Sequence, residues 1–253
     1  MPIIGPGIAV GAGITVTNTP GVVSTGLIVS LDAGNPASYS GSGTVWADLS
    51  GNSRNAIPGT SPAASFPTFS TNTMSFNGSS QGTILQNYGA GLAADNFTYE
   101  VWCKPNDTRQ VSPESTTGTE GTSGQRWVIY ADFQGANGGA GISVGTNGVS
   151  VFEHGAAYMP SLLVSTTPIS SSAVTQIVVV YTNKQPTLYI NGQFNRTGLT
   201  SLRPTVTQIG ATIGYGAYGY YSGNIDIVKY FNVSLTASQV MQNYQALRQR
   251  FGV

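Results

Sequence analysis

The chain has 253 residues, and its 10 basic and 10 acidic residues give a formal net charge of zero. Only 8% of the residues are charged, which excludes a large basic surface for nucleic acid or anionic lipid. We therefore predict no nucleic-acid partner and no membrane partner. The 33 glycines and 13 prolines favour many short strands joined by turns over a helical fold.

Cys103 is the single cysteine, so neither an internal disulfide nor a cysteine-based zinc cluster can form. No base is recognisable near it in the sequence, and we interpret it as a small core residue. No apolar run is long enough to span a membrane. The first residues lack the basic region that begins a signal peptide, so no secretory leader is predicted.

Residues 1–25 carry no charged side chain and are predicted to form an extended N-terminal arm. The pattern Gly-x-Gly-Ile-x-Val occurs twice in succession, in residues 5–10 and 11–16. It places four apolar side chains on one side of an extended chain: Ile8, Val10, Ile14 and Val16. A frayed terminus is the alternative. The density of Ile and Val favours an arm that adds strands to another chain of an assembly.

From Gly26 onward β-type runs alternate with turn signals, which predicts one antiparallel domain over residues 26–253. The predicted strands cover residues 27–31, 74–77, 82–85, 97–104, 126–133, 141–144, 149–153, 207–213 and 224–231. In the run 97–104, one face carries Phe97, Tyr99, Val101 and Cys103. Residues 105–125 form a long polar loop, which indicates a segment that is mobile, functional or ordered by a neighbour.

The strongest strand signal lies in residues 173–194. Two β-rich runs, 176–181 and 187–190, are joined by a polar turn at residues 183–186. The pair Asn191-Gly192 predicts a type I′ turn, after which a third strand folds back. We predict that this unit is the centre of an antiparallel sheet.

A helix is predicted only at the C-terminus. Thr236 and Gln239 have the spacing of a capping box, and Gly252 supplies a stop. Helical spacing places five apolar side chains on one stripe: Val240, Met241, Tyr244, Leu247 and Phe251.

Five segments in this order resemble motifs of one family. They are Met74-Ser-Phe-Asn-Gly78, Phe97-Thr-Tyr-Glu-Val-Trp-Cys-Lys-Pro105, Leu188-Tyr-Ile-Asn-Gly192, Tyr221-Ser-Gly-Asn-Ile-Asp-Ile-Val-Lys-Tyr230 and Leu235-Thr-Ala-Ser-Gln-Val240. Together they resemble the laminin-G-like, concanavalin A-like jelly-roll family over residues 26–250. This resemblance implies an all-β fold in which two antiparallel sheets form a sandwich, with a short C-terminal helix.

The residues 31–39, Leu-Asp-Ala-Gly-Asn-Pro-Ala-Ser-Tyr, and 48–52, Asp-Leu-Ser-Gly-Asn, are similar to domains of tailed-phage structural proteins. That resemblance implies a non-enzymatic virion component on the particle surface or tail. Such a protein would be held to other virion proteins by its arm and would form a homo-oligomer. The alternative is an adhesin that binds host or environmental glycans, and a third hypothesis is a glycoside hydrolase.

Hydrolysis of a glycosidic bond needs two carboxylates that flank the sugar. Jelly-roll glucanases carry them on one strand as Glu-x-Asp-x-x-Glu, a run that is missing from this sequence. Its glutamates lie in separate segments, at Glu100, Glu114, Glu120 and Glu153. We therefore predict no catalytic residue.

The candidate carbohydrate-binding residues are Tyr215, Tyr218 and Tyr220, together with Glu153 and His154. Tyrosine rings on a glycine-rich loop can stack on sugars while their hydroxyls form hydrogen bonds. Packing of these rings against the core or another subunit is an equally weighted alternative. The run Gly214-Tyr-Gly-Ala-Tyr-Gly219 matches Gly-x-Gly-x-x-Gly, but it precedes a predicted strand and is not a dinucleotide-binding turn.

Asp48 and Asn52 form the single weak candidate for a metal site, because the loop is rich in oxygen ligands of the kind that calcium prefers. The favoured alternative is a turn in which the Asp48 carboxylate accepts backbone N–H groups. No other cofactor is predicted, and a lone His154 lacks metal-binding partners in the sequence.

Overall fold

The computed structural model describes residues 21–59, 65–89, 92–206 and 208–253. They form two eight-stranded β-sheets, a separate two-stranded hairpin and one α-helix, α1 (Ala237–Phe251). The strands are β1 (Leu27–Asp32), β2 (Ala56–Pro58), β3 (Thr68–Ser70), β4 (Thr73–Asn77), β5 (Thr83–Leu85), β6 (Phe97–Pro105), β7 (Trp127–Ile129), β8 (Gly139–Gly145), β9 (Gly148–His154), β10 (Ser161–Ser165), β11 (Thr175–Thr182), β12 (Gln185–Ile190), β13 (Gln193–Thr197), β14 (Gln208–Ile209), β15 (Thr212–Ile213), β16 (Tyr215–Gly216), β17 (Gly219–Tyr220) and β18 (Ser222–Phe231). The predicted two-sheet, all-β sandwich is confirmed.

Sheet A has the strand order β13-β12-β11-β6-β18-β4-β3, and β1 also pairs with β18. Sheet B has the order β10-β9-β8-β7-β15-β5-β2, and β14 pairs with β8. All pairings between these strands are antiparallel except the short one between β14 and β8. The glycine-rich run folds into a separate hairpin, β16–β17, which leads directly into β18. It is therefore not the strand–turn–helix unit that dinucleotide binding requires.

The prediction that residues 173–194 form the centre of a sheet is wrong. The type I′ turn predicted at Asn191-Gly192 forms, and the predicted polar turn is also of this type, at Asn183-Lys184; all four residues have positive φ angles. However, β12 and β13 lead outward to an edge of sheet A, while β6 and β18 occupy its middle. Turn chemistry determines which neighbours pair locally, but it does not determine which side of the hairpin meets the rest of the sheet.

Five strands were missed in the sequence, and two were predicted too long. The missed strands are β2, β3, β10, β16 and β17. The predicted strand 126–133 is limited to β7, and the predicted strand 207–213 is split into β14 and β15. Strands as short as β2 and β3 have too few residues to show an alternating pattern.

The predicted alternation of β6 is confirmed, and both of its faces are buried. Phe97, Tyr99, Val101 and Cys103 belong to the core between the sheets. The thiol of Cys103 is fully buried, and this burial raises its pKa to about 12. A thiol in that state is a core group rather than a nucleophile.

Helix α1 lies on the outer face of sheet A and covers the other side of β6. Its capping box is present between Thr236 and Gln239, and Gly252 ends it in the left-handed conformation, with φ of 67°. The Trp102 ring stacks on Tyr244 and on Phe251, at centroid distances of 5.9 and 4.8 Å. No helix in the described part of the chain is long and apolar enough to cross a membrane.

A polar cluster fixes α1 to the sheet at the fully buried carboxylate of Glu100. That carboxylate accepts hydrogen bonds from Trp102 Nε1 at 2.8 Å, Gln176 Nε2 at 3.0 Å and Asn243 Nδ2 at 2.7 Å. Lys229 lies opposite Glu100 on β18, where burial lowers its pKa and the charge of Glu100 raises it. The helix is therefore held by a buried charge whose oxygens are satisfied.

The long loop after β6 is ordered by the chain's own strand β10. The N–H of Ser115 donates to the carbonyl oxygen of Ser161 at 2.9 Å. The Glu114 carboxylate accepts from the N–H of Val164 at 2.8 Å and forms an ion pair with Arg196 at 2.8 Å. The loop thereby occupies an edge of sheet B that would otherwise be open to other strands.

The arm residues Ile8, Val10, Ile14 and Val16 lie outside the described residues. The last part of the predicted arm, residues 21–25, contacts α1. Val23 is buried against Val178, Val180 and Val240, and its N–H donates to Asn243 Oδ1 at 2.8 Å. Residues 21–25 therefore pack with the sandwich.

We expect Asn243→Ala to destabilise the fold by about 3 kcal/mol, because it leaves a Glu100 oxygen and the Val23 N–H buried without partners. Urea unfolding of the variant and the wild type measures this difference. Gln249→Ala, on an exposed position of the same helix, is the control and should change the free energy of unfolding by less than about 0.5 kcal/mol. Equal effects of the two substitutions would refute the role of the cluster.

Candidate functional site

A cleft of about 350 Å³ opens on the outer face of sheet B. It lies where the end of β9, the segment after β7, the turn before β10 and the β16–β17 hairpin meet the 105–125 loop. Its walls are Thr119, Thr122, Tyr130, Phe133, His154, Gly155, Ala157, Tyr158, Met159, Ala217 and Tyr218. Five of these eleven residues carry aromatic rings, and we call the site the aromatic cleft.

The alternation of β9 determines which side chains reach the cleft. Val149 and Val151 point into the core, so Glu153 also points inward, while Phe152 and His154 point outward. On the neighbouring strand, Gly141 leaves room for the backbone of Tyr130 and Ala131, because a Cβ atom at Gly141 would overlap it. The segment after β7 can therefore cross closely over the sheet and present its rings beside His154.

His154 is the centre of the aromatic cleft. Its ring makes edge contacts with Tyr130, Phe133 and Tyr218, at centroid distances of 5.8, 5.4 and 6.0 Å. Its Nδ1 lies 2.8 Å from the carbonyl oxygen of Ala131. A carbonyl oxygen can only accept, so Nδ1 carries the hydrogen. Nε2 is then the acceptor nitrogen.

Burial lowers the pKa of His154, and the hydrogen bond to Ala131 opposes this in part. The ring is therefore neutral at pH 7, and Nε2 can accept a hydrogen bond from a ligand hydroxyl. Phe133 is 58% exposed, although its ring contacts His154 in the cleft. The cleft thus combines an open apolar ring with a polar acceptor, which suits a ligand with both apolar faces and hydroxyls.

Tyr158 forms another wall of the cleft and connects it to the interior. The Arg203 guanidinium lies 3.8 Å from its ring centroid. The Tyr158 hydroxyl donates to Glu153 Oε2 at 3.2 Å, and the Ser201 hydroxyl donates to the same oxygen. Burial raises the pKa of Glu153 to about 7, and the hydroxyls of Ser201, Tyr158 and Tyr181 lower it in part. Glu153 therefore supports the wall from behind rather than facing the cleft.

The structure brings together two of the five candidate carbohydrate-binding residues, His154 and Tyr218. Glu153 is fully buried, and Tyr215 is only 3% exposed. The Tyr215 ring fills the space above Gly59 and Gly82, where a Cβ atom would overlap it. Tyr220 is half-buried and stacks on Tyr215 at 6.0 Å. Neither Glu153 nor Tyr215 is available to a ligand in this conformation.

Sequence reasoning missed Tyr130, Phe133 and Tyr158 as members of the cleft. Phe133 was placed at the end of a predicted strand, although β7 ends at Ile129 and residues 130–134 have no regular secondary structure. The inward and outward alternation of β9 was visible in the sequence and could have separated Glu153 from His154. The approach of Phe133 and Tyr218, which are far apart along the chain, depends on tertiary packing.

The candidate metal loop is a turn stabilised by backbone donors. Asp48 Oδ1 accepts from the N–H groups of Ser30 and Ser50, at 2.8 and 2.9 Å. Its Oδ2 accepts from the Ser50 hydroxyl and from the N–H of Arg54, at 2.7 and 3.0 Å. Hydrogen-bond donors surround this carboxylate, which is the opposite of a cation's coordination shell. Within the described ranges, no group of three or more His, Cys, Asp or Glu side chains could hold a metal ion.

Comparison with known proteins agrees with this fold. Residues 76–241 match the family model of the concanavalin A-like lectin/glucanases superfamily. No curated protein sequence matched the chain. Domain 4 of AbnA, a GH43 extracellular arabinanase from Geobacillus stearothermophilus solved with arabinotriose, is similar, with a TM-score of 0.58 and 17% identity. The alignment covers 86% of this chain and 98% of that domain.

Two further structures have the same fold. Trypanosoma rangeli sialidase has a TM-score of 0.56 and 18% identity, over 88% of this chain and 33% of the sialidase. The binding domain of Paraclostridial Mosquitocidal Protein 1 has a TM-score of 0.58 and 16% identity, over 87% of this chain and 52% of that domain. At these identities the likeness concerns the fold alone.

We expect the free energy of unfolding of the Glu153→Gln variant, relative to that of the wild type, to increase as the pH rises. The folded state binds the Glu153 proton more tightly than the unfolded chain, whose glutamate pKa is near 4.5. The stability that the fold gains from this tighter proton binding is therefore fully present below about pH 4.5. It is lost as the pH rises through about 7. Glutamine stays neutral, so its advantage over wild type should grow by ~3 kcal/mol between pH 5 and pH 8.

Denaturant unfolding of both proteins at several pH values measures this difference. Parallel stability curves for the two proteins would show that Glu153 titrates normally and is not desolvated as described.

Proposed function

The chain belongs to the concanavalin A-like lectin/glucanases superfamily, and we propose that it is a non-enzymatic carbohydrate-binding domain. The observation that carries this proposal is the aromatic cleft, in which the exposed Phe133 ring and the Tyr218 ring flank the neutral imidazole of His154. Aromatic rings bind the apolar faces of sugars, and the imidazole Nε2 accepts a hydrogen bond from a sugar hydroxyl. The arabinanase domain solved with arabinotriose supports the choice of ligand class.

The composition of the cleft favours binding over hydrolysis. No Asp or Glu side chain belongs to its described walls. Glu153, which precedes the wall residue His154, faces the interior behind Tyr158. Glycoside hydrolysis needs one carboxyl group on each side of the scissile bond. Similarity to a sialidase in fold therefore does not carry over to chemistry, since fold and function are separable.

We expect Phe133→Ala and Tyr218→Ala each to weaken glycan binding about tenfold, because each removes a stacking surface. A glycan array identifies the ligand, and calorimetric titration of the best ligand and of arabinotriose measures the affinity. Phe194→Ala is the matched control, because Phe194 is 61% exposed, close to the 58% of Phe133, and lies outside the cleft.

Equal affinities of the Phe133 and Phe194 variants would reject the cleft as the binding site. Release of reducing sugar from any bound glycan by the wild type would reject the non-enzymatic function. A triple Tyr→Ala variant at residues 215, 218 and 220 is a poor test, because it removes the buried Tyr215 and would unfold its surroundings.

We propose a virion as the setting of this domain, either on the capsid surface or on the tail. The support is the resemblance of residues 31–39 and 48–52 to tailed-phage structural proteins, and the uncharged repeat in residues 5–16. In this proposal the arm binds other virion proteins, and the aromatic cleft faces outward from the particle. A repeat with one apolar edge would gain both side-chain burial and backbone pairing when it adds to a neighbouring sheet.

Deletion of residues 1–20 should leave a folded domain that no longer enters particles. The deletion must end before Val23, which is part of the packing against α1. Circular dichroism checks the fold, and mass spectrometry of purified particles measures incorporation. Wild-type occupancy of the truncated protein would place the attachment elsewhere, and absence of the full-length protein from any particle would reject the virion setting.

A further inference from the structure

A second cavity, of about 340 Å³, lies on the opposite sheet beside the C-terminal end of α1. It is formed by the β3–β4 turn, by β18 and by the last helical turn. Its walls are Thr71, Asn72, Thr73, Val174, Asn224, Asp226, Arg250 and Phe251. We call it the bulge pocket. It shares no wall residue with the aromatic cleft, and its properties do not depend on the function proposed for that cleft.

A β-bulge aims Asp226 toward this pocket. The register of β18 with β6 shifts between Ile225 and Ile227, so Asp226 is the extra residue. Ile225 and Val228 both remain in the core on either side of the shift. Bulges of this kind re-aim a side chain without ending the strand, and they are common beside binding sites. Without the bulge, the alternation could not keep Ile225 and Val228 on the same face.

The Asp226 carboxylate is buried but incompletely satisfied. The residue is 5% exposed, and its Oδ2 has no hydrogen-bond partner within the described part of the chain. The Thr73 hydroxyl, another wall group, also lacks a partner there. It is close enough to lower the pKa of Asp226, yet it makes no hydrogen bond of acceptable geometry. A buried carboxylate oxygen without a well-formed hydrogen bond is costly to the fold, and it leaves an acceptor that a ligand in the pocket could use.

The charges around Asp226 restrict the ligand. Burial raises the pKa of Asp226 to about 6, Arg250 and Lys104 lower it, and Asp32 raises it. The carboxylate is therefore ionised at neutral pH and acts as an acceptor. Arg250 is already paired with Asp32 at 2.7 Å. A free anion would be repelled by Asp226, and a free cation by Arg250 and Lys104.

A neutral ligand with several hydroxyl donors suits these walls best. Its hydroxyls can donate to Asp226, and the amide of Asn224 and the Thr73 hydroxyl offer further polar contacts. The Phe251 ring, which stacks on Trp102, supplies an apolar wall. The volume lies at the lower end of the range for small-molecule sites. We infer that the bulge pocket binds a single neutral sugar unit through hydroxyl donors to Asp226, which would give the domain two carbohydrate sites on opposite faces.

Ligand-observed saturation-transfer NMR and calorimetry with D-glucose, D-galactose and L-arabinose as probes test this inference. Asp226→Asn keeps the size of the side chain but removes its charge, and it should weaken binding of the preferred sugar about tenfold. Thr73→Val removes only the hydroxyl and should weaken binding several-fold. Phe133→Ala, in the other cleft, is the control and should leave this affinity unchanged. Thermal unfolding confirms that each variant is folded.

Three results would overturn the inference. They are the absence of binding of all three sugars to the wild type, wild-type affinity in both the Asp226 and the Thr73 variants, and loss of binding in the Phe133 variant. The last result would assign the signal to the aromatic cleft. It would leave the function proposed for that cleft intact, so the two hypotheses fail separately.

Discussion

Burial of β6 on both faces is the constraint on which the rest of the structure depends. One face contributes Phe97, Tyr99 and Val101 to the core between the sheets. The Tyr99 hydroxyl crosses that core, donates to the carbonyl oxygen of Ala140 at 2.8 Å and accepts the N–H of Gly210 at 2.7 Å. It therefore joins the two sheets by hydrogen bonds across the core. A buried hydroxyl with both roles satisfied adds specificity to the packing without a desolvation penalty.

The other face of β6 requires a cover, and α1 supplies it. Trp102 and Glu100 on this face are too large and too polar to be buried without matched partners, which Tyr244, Phe251 and Asn243 provide. Because the helix lies across sheet A, its last turn meets β18 and closes the bulge pocket there. Among the described residues, no α-helix covers sheet B. Its outer face is covered by a loop and a hairpin, which leave the aromatic cleft between them.

Much of the fold could be predicted from the sequence, because period-2 alternation and turn chemistry are local signals. The faces of β6, the type I′ turn at Asn191-Gly192 and the capping box of α1 all follow from such signals. Strand order could not be predicted locally, so the 173–194 hairpin was placed at the centre of a sheet and not at its edge. The ordered conformation of the polar loop 105–125 could not be predicted either. It depends on contacts with β10, a strand that the sequence did not reveal.

The candidate site was only partly predictable for the same reason. His154 and Tyr218 stood out by residue type, but the sequence also selected Tyr215, whose glycine neighbours Gly59 and Gly82 give it a buried position. A tyrosine on a glycine-rich run is as suited to filling a space above glycines as to contacting a ligand. Phe133 carried no motif, and its importance comes from exposure beside other rings. Exposure of that kind is a property of the folded chain.

The central claim is that this domain binds carbohydrate in the aromatic cleft of sheet B. A crystal structure of the protein soaked with arabinotriose, or with the best ligand from a glycan array, tests it most directly. Our account predicts a sugar ring stacked on Phe133 or Tyr218, with a hydroxyl within hydrogen-bond distance of His154 Nε2. A sugar bound with full occupancy elsewhere on the sandwich, with the cleft empty, would contradict it.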